Sequence, residues 1–212
     1  MPPKTKSPPP HHLELALSPE TARRITADHS FGHRLLMSML PDSIFGTDSP
    51  RAEAGLLWGF TSPTTFHVVS RLPLTSARDV NVTMLPTPPD VKDGQLILLT
   101  GTIEASQMKA TWVPEEIWNL PGRPNTHGKR VPVPTDRLRP WLTDKLARAG
   151  FGLTDVLTLS THQIPVKKRK IHSADFTVKT TVTDATLAQD ALDTGCGRSK
   201  NFGCGLLRAT PI

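Results

Sequence analysis

Four glycines fall at positions 195, 197, 203 and 205, with Arg198, Ser199 and Lys200 among them and the apolar pair Leu206-Leu207 directly after. No helix or ordinary strand tolerates such a run, because glycine loses the most backbone entropy on ordering and contributes no side chain to packing. The segment therefore predicts a tight loop feeding a last strand over Gly205 to Thr210. Main-chain N–H groups left bare by Gly195, Gly197, Gly203 and Gly205, beside Arg198, Ser199 and Lys200, suit close approach to phosphates. The spacing is neither that of a P-loop nor that of a dinucleotide fingerprint. The plainer alternative is that these glycines serve only close packing ahead of the strand.

Upstream, apolar periodicity alternates between the two regular periods. Leu13 to Leu17 alternates as a strand, and Ser18-Pro19-Glu20 places a cap before a proline at the first helical position. Ala22, Ile25, Leu35, Leu36, Met39 and Leu40 then follow a helical rhythm that breaks near Asp28-His29-Ser30, where Asp28 or Ser30 can cap a second segment. Ala54 to Phe60 and Thr65 to Leu72 predict strands joined by a Ser-Pro turn. A short helical segment is expected around Ser76 to Asp79, then a strand at Asn81 to Leu85. Pro86-Thr-Pro-Pro89 marks a linker.

The second half repeats the order. Gln95 to Thr100 predicts a strand and Thr135 to Ala149 a helix with Leu138, Trp141, Leu142 and Leu146 on one face, stopped by Gly150. Val156 to Gln163 and Phe176 to Thr183 predict strands around the basic run 167–170, followed by a short helix over Thr186 to Leu192. The expected class is α+β, two tandem ferredoxin-like (RRM-like) domains of β-α-β-β-α-β order. The expected divisions are a disordered Pro-rich arm over 1–11, a first domain over 12–86, a linker over 87–94 and a second domain over 95–212.

A net charge of +6 favours a polyanionic partner. No apolar stretch reaches the length of about 18 residues that a membrane helix requires. Two cysteines cannot build a disulfide framework and fit a reducing, cytoplasmic setting. Tyrosine is absent, so a phenol takes no part in any mechanism. The run Lys167-Lys168-Arg169-Lys170, expected between two strands, must face solvent or an anion, since four adjacent cations repel. His29 and His33 lie one helical turn apart, but no zincin glutamate accompanies them and no third ligand is evident. Either can instead act as general acid or base, or be a partly buried structural histidine.

The segment from Gly195 to Pro211 closely resembles the C-terminal signature of the CRISPR repeat-processing endoribonucleases of Cascade (type I-E) systems, within the RAMP superfamily. Three further matches follow in order. Ala22-Arg23-Arg24 with Asp28 to Leu35 resembles the family's first helix and its histidine-arginine pair, here His33-Arg34. Ala105 to Lys109 resembles a degraded form of the segment that opens the second domain. Gly128-Lys129-Arg130-Val131, with the later Trp141-Leu142 helix, resembles the family's glycine-lysine-arginine strand and tryptophan-leucine helix.

The resemblance implies binding of a CRISPR repeat hairpin and cleavage at the 3′ base of its stem. The 2′-hydroxyl would attack the adjacent phosphate, leaving a 2′,3′-cyclic phosphate and a 5′-hydroxyl, with no metal and no cofactor. It places the catalytic histidine at His33. Ser30 stands where a tyrosine is often found, which leaves His29, a lysine or the RNA itself as the protonation partner. RNA contacts are implied for Arg23, Arg24, Arg34, Lys109, Lys129, Arg130, Lys167, Lys168, Arg169, Lys170, Arg198, Ser199 and Lys200. The product guide RNA and the other subunits of a multi-protein class 1 CRISPR effector complex are the implied partners, in a prokaryotic cytoplasm. Two alternatives remain open: a non-catalytic RNA-binding subunit of such a complex, and a general basic scaffold.

Overall fold

Leu13, Leu15 and Leu17 bury one face of the first strand while Glu14 and Ala16 stay exposed, so the period-2 pattern is realised as β1 (His11–Leu17). The computed structural model describes residues 9–109, 129–167 and 169–212. β1 starts inside the arm expected to be irregular, because the main chain at His11 pairs with Ser70. The rest of that arm, 1–8, lies outside the described residues.

Ser18 Oγ accepts from the Thr21 N–H at 3.2 Å, and Pro19 opens α1 (Pro19–Ala27). The chain leaves the helical region at Asp28 (φ −152°, ψ 101°), whose carboxylate accepts from the Ser30 N–H and starts α2 (His29–Ser38). A 3-10 turn and the short α3 (Pro50–Glu53) follow, then β2 (Leu57–Ser62), β3 (Thr65–Ser70) and β4 (Val80–Leu85). The antiparallel sheet has the order β2-β3-β1-β4. Leu15, Ile25, Leu36, Met39, Trp58 and Phe66 form its core against the helices.

Two expectations fail locally. No helix forms over Ser76 to Asp79, where only an Ala77–Val80 bridge is found. The Met39 carbonyl holds both the N–H and the hydroxyl of Thr75, which keeps the connection to β4 extended. β2 begins at Leu57 rather than Ala54, because Ala54 closes α3 and Gly55 turns the chain at φ +60°.

The second unit comprises β5 (Leu96–Glu104), β6 (Ser106–Lys109), β7 (Lys129–Pro132), α4 (Leu138–Ala147), β8 (Phe151–Val166), β9 (Arg169–Val182), α5 (Ala185–Thr194) and β10 (Leu207–Pro211). Its main antiparallel sheet has the order β10-β5-β9-β8, the same arrangement as the first, and β6 pairs with β7 separately. The fold is thus α+β with tandem ferredoxin-like units. Gly150 turns α4 into β8 at φ +83°, where a Cβ would sit 2.5 Å from the Asp184 carbonyl. β8 and β9 run well beyond the expected spans, over 16 and 14 residues, and form a long hairpin.

Leu57 and Val69 of the first unit bury Leu206 of the second. Trp58 Nε1–H donates to the Asn201 carbonyl at 3.3 Å. Cys196 and Cys204 are free thiols buried near this seam, and desolvation pushes Cys204 up to about 12. No helix among the described residues is long and apolar enough to cross a membrane. Leu206→Ala should cost about 2–5 kcal/mol by opening a void between the units, read as a lowered midpoint in urea denaturation.

Candidate nucleic-acid interface

The β8–β9 hairpin turns at Lys167, which adopts φ +50°. There the Lys167 N–H donates to Asp28 Oδ1 at 3.1 Å, the same oxygen that accepts from the Ser30 N–H at 2.9 Å. One carboxylate therefore caps α2 and docks the hairpin tip onto its first turn. Desolvation opposes ionisation of Asp28, yet the Lys167 and Ser30 N–H groups outweigh it and hold the carboxyl below its ordinary value. Lys167 and Arg169 are thereby set beside the helix that carries His33.

Ser30, His33, Arg34, Val166, Lys167, Arg169 and Phe202 line a cavity of about 620 Å³. Among the described residues, two side-chain atoms there are buried without a hydrogen-bond partner, Ser30 Oγ and His33 Nδ1. Burial lowers the His33 pKa first, and the charges of Arg51 and Arg34 lower it further. At neutral pH the ring is uncharged, the form in which one nitrogen can accept a proton.

His29 lies elsewhere. Its Nδ1–H donates to the Phe202 carbonyl at 2.8 Å, and its ring packs 5.5 Å from Trp58. Burial depresses its pKa against the opposing effect of that hydrogen bond. The ring lines a different cleft from the one that holds His33.

The glycine-rich loop borders a second space, of about 690 Å³, which shares Arg169 and Phe202 with the His33 cavity. Arg51, Arg130, Lys170, Arg198 and Lys200 make it electropositive. Glu104 organises its floor: Ser199 Oγ donates to Oε2 and Ser106 Oγ to Oε1, both at 2.5 Å, while Arg130 Nη1 donates to Ser106 Oγ at 3.1 Å. Desolvation would raise the Glu104 pKa, but the two hydroxyls and the Arg130 and Arg198 charges bring it below the ordinary value. Lys200 Nζ donates to the Thr194 carbonyl at 2.6 Å, so this cation also closes the C-terminus of α5.

Among the glycines, only Gly197 lines the basic trough. A Cβ at Gly195 would fall 2.7 Å from Leu57, one at Gly205 2.9 Å from the Cys196 carbonyl, and one at Gly203 3.2 Å from Trp58. All three also hold a left-handed φ, between +81° and +90°, which side chains rarely adopt. Arg23 and Arg24 sit on the exposed face of α1, where the Arg24 guanidinium lies 4.1 Å from the Phe31 ring centroid. Lys109 pairs in register with Lys129 at the ends of β6 and β7, outside both cavities. Lys168 lies outside the described residues. Arg51 and Glu104 were not singled out from sequence: Arg51 follows a Ser-Pro pair in no recognisable pattern, and Glu104 lies beyond the strand expected over Gln95 to Thr100.

The family model described as CRISPR associated protein matches residues 11–211. Among curated proteins nothing matches. Several solved structures share the fold. Thermus thermophilus Cse3 bound to an RNA representing a pre-cleavage complex is 22% identical, with a TM-score of 0.77, covering 96% of this chain and 100% of that one. CRISPR endoribonuclease Cse3 bound to a 19 nt RNA is 24% identical, with a TM-score of 0.72, covering 95% and 100%. Cas6e from Escherichia coli str. K-12 is 20% identical, with a TM-score of 0.68, covering 95% and 100%.

Both Asp28 and Glu104 have lowered folded-state values. Their stabilising effect is complete above the ordinary carboxylate pKa of about 4 and is lost as pH falls through the lowered value. Asp28→Ala should cost about 1 kcal/mol of stability at pH 7 and flatten the acid limb of the stability profile, measured by denaturation between neutral and acid pH.

Proposed function

Because this chain belongs to the CRISPR-associated protein family, we propose that it binds a CRISPR repeat hairpin and cuts it at one place as a metal-independent endoribonuclease. The observation that carries this reading is His33, neutral and with a buried unpartnered nitrogen, in a cavity walled by Arg34, Lys167 and Arg169. Such a pocket offers a proton acceptor next to cations, which is what transesterification of an RNA phosphodiester needs.

His33 removes the proton of the 2′-hydroxyl, whose oxygen attacks the adjacent phosphorus. The P–O5′ bond breaks, leaving a 2′,3′-cyclic phosphate and a 5′-oxygen that takes up a proton. Tethering of nucleophile and phosphate on one ribose supplies much of the rate through alignment. Arg169 and Arg51 stabilise charge on the phosphorane. Ser30, with its free hydroxyl, orients the reacting groups, and His29 acts as a positioning residue that fixes Phe202. The basic trough, with Lys170, Arg130 and Arg198, follows stem phosphates, since the deep major groove of duplex RNA hides its base edges. The hairpin tip, Lys167 to Lys170, enters that groove.

The cleaved guide RNA stays bound and joins a multi-subunit effector complex in the cytoplasm. The absence of tyrosine favours one second reading, a relative that holds the guide RNA without cutting it. The two differ in whether the pure chain cleaves a repeat hairpin in EDTA.

His33→Ala should lower single-turnover cleavage by about 10²–10⁴-fold, with hairpin affinity nearly kept; equal cleavage by the variant would remove His33 from the mechanism. For the wild type, kcat/KM should rise with pH to a midpoint below about 6.5 and stay level through neutrality. A rate that instead falls as pH rises through this range would assign the protonated ring. Replacing Lys167, Lys168, Arg169 and Lys170 with glutamine should weaken hairpin binding and flatten the dependence of log Kd on log salt.

A further inference from the structure

Beyond the basic trough, a second cleft of about 650 Å³ opens between the two sheets. The glycine-rich loop separates the two spaces, since Phe202 lines the trough while its neighbour Gly203 and the His29 ring line this cleft. Apart from His29, which fixes Phe202, none of its polar groups takes part in the proposed cleavage.

Arg208, on β10 opposite Thr100, reaches into it. The residue is neither free in solvent nor paired: among the described residues no side chain or carbonyl accepts from its guanidinium, and desolvation lowers its pKa. A half-buried guanidinium with no acceptor on the protein keeps its N–H fork available to a planar oxyanion, which binds it through two N–H groups. Close by, Thr102 Oγ1 donates to Asp175 Oδ1 at 2.6 Å, and His162 Nδ1–H donates to Asp175 Oδ2 at 3.1 Å. Asp175 is the one carboxylate among the described residues lining the cleft, and both its oxygens are engaged. Its hydrogen bond raises the His162 pKa and fixes the ring, leaving Nε2 as the second potential donor.

Beneath Arg208, Gly59, Gly101 and Gly203 border a narrow space that Phe60, Thr102 and Leu206 also line. The partly exposed Phe60 ring forms an apolar side, held edge-on against Phe66 at 4.5 Å. A guanidinium and an oriented imidazole beside an aromatic face and threonine hydroxyls match a phosphate joined to a base.

We propose that this cleft is a second binding site, in which Arg208 and His162 hold the phosphate of a single-stranded ribonucleotide and Phe60 carries its base. It is independent of cleavage at His33 and stands or falls separately. The test titrates the full chain with adenosine 5′-monophosphate, adenosine and inorganic phosphate while following the His162 ring nitrogens by NMR. The monophosphate should shift them at lower concentration than phosphate does, and adenosine should act most weakly. Arg208→Gln should weaken the monophosphate about tenfold or more and leave His33-dependent hairpin cleavage intact, which also shows that the variant folds. Thr102→Val, which frees one Asp175 oxygen, should alter the His162 signal before any ligand is added. No His162 shift with any of the three ligands, or a response that survives Arg208→Gln, would overturn the site. Equal affinity for phosphate and monophosphate would overturn the part given to Phe60.

Discussion

Asp28 Oδ1 accepts two main-chain N–H groups, from Ser30 in the first unit and Lys167 in the second. The first bond ends α1 and starts α2, and the second brings the tip of a hairpin from 139 residues away onto that start. A carboxylate oxygen can serve both donors because it carries spare lone pairs and a full charge. The register of α2 sets where His33 stands, and the hairpin sets which cations face it. The cavity between them exists because one atom fixes both.

A second seam supports the first. The glycine-rich loop lies over Trp58 and His29, and Gly195, Gly203 and Gly205 turn it at φ of +81°, +81° and +90°, where a Cβ at Gly205 would also meet the Cys196 carbonyl at 2.9 Å. With the loop seated, the Phe202 carbonyl receives the His29 N–H, and the Phe202 ring becomes the wall shared by the His33 cavity and the basic trough. Cations crowded along such a trough repel one another. Glu104, ionised and held by two serine hydroxyls, offsets part of that repulsion from within. The same seating places Gly203 and Arg208 on the opposite side, so one loop partitions the inter-unit space into two clefts of different chemistry.

Much of the fold was legible because it is written in local periods. Leu13, Leu15 and Leu17 alternate, Ser18-Pro19 announces a helix, and Asp28 marks the break in the helical rhythm. Gly150 ends α4, and the glycine run precedes the last strand. The misses share one cause. The helix expected at Ser76 to Asp79 competes with the hold of the Met39 carbonyl on Thr75, a contact between residues 36 positions apart. The extra length of β8 and β9 likewise comes from their mutual pairing, which carries Ile164, Val166 and Ile171 into a small buried cluster on either side of the charged run.

For the site, residue type and spacing singled out the histidine pair, the basic run and the glycine-rich loop, because histidine chemistry, adjacent like charges and clustered glycines are local properties. They left His29 and His33 equivalent, and only the family resemblance preferred His33. Tertiary structure separated them: His29 is engaged by a carbonyl 173 residues away, whereas His33 keeps an unpartnered nitrogen in a cavity. The surroundings of Arg51, Glu104 and Arg208 likewise emerge only in three dimensions. A charge gains its meaning from what surrounds it, and burial and distant partners are fixed by packing between segments that sequence spacing does not relate.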